Sequence, residues 1–144
     1  MDRKPIPLIA LILGCSGVIP FAATAALVAL DHAGLRQMAL DGFLIYGAVI
    51  LSFLGGIRWG AASSASSKPA RGLIVSVLPS LWAAFFLWWP SDDLSVWGLM
   101  AGFILMGFAD WLYPGLNVPS WMRPLRMWLT LAVVACHLVV VMVM

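Results

Sequence analysis

Charge is scarce in this sequence. Only 10% of its 144 residues are charged, against about 25% in ordinary soluble domains. The net charge is +2, and no run of Lys or Arg gathers into a patch. A nucleic-acid interface is therefore not expected. Cysteine is nearly absent as well. Cys15 and Cys136 both lie inside apolar runs, which argues against a disulfide framework or a metal site and for small buried hydrophobes. Chemical motifs are missing too. The chain has no glycine-rich phosphate loop, no His-Glu-x-x-His helix and no convincing nucleophile–base pair. No catalytic residue, metal ligand or cofactor is assigned, and the chain reads as a non-enzyme.

What the sequence does have is oil. It is 63% hydrophobic with a mean hydropathy of +1.03. A soluble fold of this size could not hide so much apolar surface, so the solvent is lipid. The pattern predicts an all-α, polytopic membrane protein. Its single domain, 1–144, is a compact bundle of five transmembrane helices, over about residues 5–30, 42–62, 72–89, 94–113 and 125–144. About 20 apolar residues cross a bilayer, and each segment comes close to that length or exceeds it.

The first segment follows a polar leader with Arg3 and Lys4, and Pro20 is predicted to kink it. ILGC (12–15) loosely resembles a lipoprotein box, and Ala23-Thr24-Ala25 a small-residue cleavage site. The apolar run is longer than the roughly 7–15-residue core of a signal peptide, so it reads as a retained helix. Polar loops are expected at 31–41, which holds His32 and Arg36, at 63–71, at 90–93 and at 114–124.

Basic residues orient the bundle. With the N-terminus in the cytoplasm, Arg3, Lys4, Arg58, Lys68, Arg71, Arg123 and Arg126 fall inside, and only Arg36 falls outside. The C-terminus is then periplasmic. Trp59, Trp89, Trp111 and Trp121 fall near predicted helix ends, as an aromatic belt would.

Two features go beyond class. Ala48, Ser52, Gly56, Gly60 and Ser64 recur every four residues and make a small-residue stripe along the second helix. Such a stripe serves close packing, either inside the bundle or against a partner subunit or a second copy. The other feature is charge near the inner helix ends. Arg58 and Asp110 lie at similar depth, each followed by a tryptophan, and Arg126 arrives at that level from the opposite direction. The arginines could snorkel to lipid phosphates. Alternatively, Asp110 pairs with Arg58 or Arg126, either clamping the bundle or framing a shallow site with Trp59 and Trp111 as walls. Asp110 is the only acid inside a predicted span, fewer than a proton-coupled transporter usually carries. His137, in the outer half of the last helix, reads as a packing histidine, with haem ligation or proton transfer as the alternative.

The segment YGAVILSFLGGIRWG (46–60) resembles the signature of the transmembrane protein 69-like family, bacterial inner-membrane and mitochondrial proteins of unknown function. GVIPF (17–21), SVLPSLW (76–82) and PSWMRPLRMWLT (119–130) are similar in kind. The resemblance implies a compact multi-span membrane protein and carries over no activity or site. The leader is not rich in Arg and Ser, which favours a bacterial inner-membrane member over an organellar one.

Two functional readings follow. One is an accessory or assembly subunit docking on a membrane complex, such as a bioenergetic one, with lipid and other membrane proteins or its own copies as partners. The alternative is a binder or carrier of a lipid, quinone or tetrapyrrole at the cytoplasmic leaflet. A transporter is a third reading.

Overall fold

The computed structural model describes residues 5–30, 34–64, 69–112 and 119–144. Their regular structure is entirely helical: α1 (Leu8–Ser16), α2 (Ile19–Leu30), α3 (Arg36–Ser63), α4 (Pro69–Trp88), α5 (Asp92–Leu112) and α6 (Met122–Val143). The α1–α2 pair and each longer helix are long and apolar enough to cross a membrane, which makes five spans. His32, Lys68, Arg3 and Lys4 lie outside the described residues.

The kink expected at Pro20 is a full break two residues earlier. Pro20 has no N–H to give to the preceding turn, and its ring crowds the carbonyl there. The chain closes α1 instead, with the Gly17 N–H bonded to the Leu13 carbonyl at 3.1 Å and the Val18 N–H to Cys15 at 3.0 Å. The Gly17 carbonyl at the break accepts a hydrogen bond from Tyr46 Oη on α3, at 2.9 Å.

The polar loop expected over residues 31–41 is shorter than hydropathy suggests, because α3 starts at Arg36. Its polar first turns are held by contacts. Gln37 bonds Asp41 one turn on, at 3.0 Å, and reaches Asp92 of α5 at 3.2 Å. Arg36 donates to the Val143 carbonyl at the end of α6, at 2.5 Å. Similarly, Asp92 and Asp93 belong to the first turn of α5 rather than to a turn before it. Carboxylates are favoured there by the helix dipole.

Helix α3 is the central element. It packs most extensively on α4 and also meets α2 and α5, while α6 closes the bundle against α5, α2 and α1. The α3–α4 crossing is close because Gly55 has no side chain. A Cβ there would stand 2.5 Å from the Ser76 carbonyl oxygen and 3.5 Å from Pro79. In the core, Phe21, Phe43, Phe103 and His137 are all buried. The His137 ring lies 4.6 Å from Phe43, 5.6 Å from Phe103 and 5.9 Å from Phe21. Outside, large apolar side chains face away from the protein on every helix, with Trp88 90% and Met142 84% exposed. In water such a surface would aggregate; in hydrocarbon it is the ordinary exterior.

Candidate functional site

Helices α3 and α5 run in one direction and α6 in the other. Arg58 lies near the end of α3, Asp110 near the end of α5 and Arg126 near the start of α6, so all three arrive at one end of the bundle. There the Asp110 carboxylate is divided between two cations. Arg58 Nη1 donates to Oδ1 at 3.0 Å. Arg126 Nη2 stands 2.6 Å from Oδ2, in an ion contact without the alignment of a hydrogen bond. The three side chains are only 11–18% exposed. Both arginines thus meet the one carboxylate, where the residue spacing left open which of them would.

The cluster ties three helices together at a depth where an isolated charge is costly. Its strength comes from mutual pairing: a pair near 4 Å contributes about 4 kcal/mol at an effective dielectric of about 20. Removing one partner of a buried pair exposes the other to the full desolvation cost. Two guanidiniums and one carboxylate leave the trio formally cationic.

The tryptophans next to the cluster are exposed, and Trp111 has a partner of its own. Trp59 and Trp111 are each about half exposed, toward lipid. Trp111 instead supports Arg123, whose guanidinium carbon lies 5.2 Å from the ring centre. Arg123 Nη2 also donates to the Trp111 carbonyl, at 2.6 Å. Sequence reasoning counted Arg123 only as a basic residue. Its position three residues before Arg126, on the same helical face, was the available signal.

The small-residue stripe is divided. Ala48 is buried in the core and Ser52 half-buried. Gly56 and Gly60 are exposed, with no atom within 4 Å of the place a Cβ would take. The glycine that packs inside is Gly55. A second close approach, Gly72 of α4 against Ala62, would bring a Cβ to 2.8 Å.

His137 sits in the aromatic box described above. Its Nδ1 is 2.9 Å from the Val133 carbonyl. A carbonyl only accepts, so Nδ1 carries the proton, and the buried Nε2 has no hydrogen-bond partner. Three phenylalanine rings pack around the imidazole. Among the described residues no group of three or more His, Cys, Asp or Glu side chains could hold a metal ion.

The segments that carry the family resemblance meet one another in space. Tyr46 bonds Gly17; Gly55 receives Ser76 and Pro79; Arg58 shares Asp110 with Arg126. The profile of a protein family of unknown function, DUF3429, matches residues 6–142. The chain belongs to the DUF3429 family. Among curated relatives of this DUF3429 protein, transmembrane protein 69 of Xenopus tropicalis is 35% identical over 137 residues, 91% of this chain and 53% of the frog protein. Transmembrane protein 69 of Mus musculus is 35% identical over 79 residues, 55% of this chain and 31% of the mouse protein. The DUF3429 chain thus spans about half the length of the frog relative. No solved structure matches it. As a multi-pass membrane protein of this family, it has the lipid bilayer as its first partner.

Proposed function

We propose that this protein is a non-enzymatic accessory or assembly subunit, docking on another membrane protein through the lipid-facing end of α3. The observation that carries this reading is the contrast between glycines. Gly14, Gly47, Gly55, Gly72, Gly98, Gly102 and Gly107 each have a neighbour within 3.4 Å of a built Cβ. Gly56 and Gly60 have none, and both face outward. Glycine in a helix interior costs about 1 kcal/mol relative to alanine, and nothing inside this bundle offsets that at either position. Close approach by another helix would. Trp59, 48% exposed beside them, adds an aromatic anchor. In this reading the membrane is the bacterial inner membrane, with the arginine-rich end of the bundle cytoplasmic.

Gentle detergent extraction followed by native electrophoresis and cysteine cross-linking from position 56 tests it. The wild-type chain is expected in a larger assembly, cross-linked to one defined partner. Gly56→Leu with Gly60→Leu is expected to release a folded monomer. A chain that runs alone, or an assembly indifferent to both substitutions, contradicts the reading.

A further inference from the structure

Helix α1 is held to the rest of the protein at few points. None of its residues is buried, and among the described helices it packs only against α6 and α2. At Gly14 it lies close on α6, where a Cβ would stand 2.9 Å from the end of the Leu129 side chain. Just past its last residue, the Gly17 carbonyl takes the hydrogen bond from Tyr46 Oη of α3. The backbone between α1 and α2 is short of a rung, because Pro20 has no N–H to give to the Ser16 carbonyl. Gly14, Gly17 and Val18 form one wall of an apolar cleft of about 140 Å³. Phe53 of α3, Phe103 of α5 and Leu129 of α6 face them across it.

We infer that α1 is a hinged flap: it turns about Gly17, rests on α6 through Gly14, is latched by Tyr46, and opens the cleft to the bilayer when it swings out. In water, lifting α1 off the bundle would expose apolar surface. In hydrocarbon that surface meets lipid instead, and no hydrophobic force draws the helix back. What holds it is the packing at Gly14 and the one hydrogen bond at Gly17. Leu8, Ile9, Ile12 and Leu13 already face outward, each more than half exposed. By contrast, α2 buries Phe21, Ala25 and Val28 in the core, so it stays with the bundle and the turning point falls at the break. Segments with few buried contacts are the ones that open first, and hinges form at element ends. The docking surface at Gly56 and Gly60 plays no part in the hinge.

The test is a pair of spin-label distances, measured by double electron–electron resonance on the full chain in lipid nanodiscs, with Cys15 and Cys136 replaced by alanine. Leu8→Cys with Leu105→Cys reports the flap, and Leu78→Cys with Leu105→Cys reports the α4–α5 body; all three positions are exposed. Leu8 stands nine residues before Gly17, about 13 Å along the helix, so a swing of about 25° moves it by about 6 Å. The chain with native Tyr46 and Gly14 is expected to show a main flap distance and a minor second one. Tyr46→Phe should raise the minor population about three- to tenfold, the weight of one hydrogen bond. Gly14→Leu, wedged against Leu129, should make it the main one. The body distance should be the same in all of these chains. A flap distribution unchanged by Tyr46→Phe overturns the inference. So does a shift of both pairs together, which would be a loosening of the whole bundle. If Gly14→Leu fails to fold, the Tyr46→Phe comparison decides.

Discussion

Asp110 is the residue on which the most depends. It touches Arg58 and Arg126 at once, so its loss takes a counter-charge from both cations, whereas the loss of either arginine leaves the carboxylate a partner. Breaking a buried pair costs about 3–5 kcal/mol when one charge is stranded. Asp110→Ala is therefore expected to lower stability in detergent by an amount in that range, and Arg58→Ala and Arg126→Ala by less each. Thermal unfolding of the three variants gives the ranking. Equal losses, or an Asp110→Ala protein as stable as wild type, would mean that the charges are solvated separately. Depth counting brought Arg58, Asp110 and Arg126 to one level in the sequence. It could not say that both arginines would share the carboxylate, because that depends on how α3 and α6 turn about their axes. Nor did it place Arg123 over Trp111, since the sequence between them has no periodicity to read.

At the scale of the helix, α3 presents two adjacent glycines with opposite surroundings. Gly55 lies against the α4 backbone, where a Cβ would come within 2.5 Å of the Ser76 carbonyl. Gly56 faces open space. Gly55→Ala is expected to force α3 and α4 apart and to cost at least the 1–3 kcal/mol typical of overpacking. Gly56→Ala is expected to be neutral or to stabilise the isolated chain by up to about 1 kcal/mol, through helix propensity. Denaturation in sodium dodecyl sulfate measures both, and similar effects at the two positions would show that the α3–α4 crossing is not as close as described. A four-residue spacing made Gly56 part of a stripe with Ala48, but a straight helix drifts from that spacing, and the close contact falls one residue earlier. The five spans themselves were legible, because long apolar runs leave few alternatives. Their ends were not. Arg36, Gln37 and Asp41 look like loop residues to a hydropathy scale, yet they belong to α3, where Arg36 reaches Val143 and Gln37 bonds Asp41 and Asp92. The α1–α2 break was visible as Pro20, while its exact place depends on Tyr46 catching the Gly17 carbonyl.

For the whole molecule, these contacts describe a bundle fastened at both ends by different means. One end is joined by the Asp110 cluster, the other by Arg36 and Gln37 reaching across to α6 and α5. Arg58, Arg71, Arg123 and Arg126 gather at the first end, and Asp41, Asp92 and Asp93 at the second. By the positive-inside rule the arginine-rich end is expected to lie in the cytoplasm. An odd number of spans then puts the two chain ends on opposite sides. The most direct measurement is a pair of reporters fused in turn after Met144, alkaline phosphatase and green fluorescent protein, expressed in a bacterial host. Active phosphatase with a dark fluorescent protein is the predicted result. A fluorescent fusion with inactive phosphatase would place that end in the cytoplasm and contradict both the five-span count with a cytoplasmic N-terminus and the cytoplasmic placement of the Arg58–Asp110–Arg126 cluster.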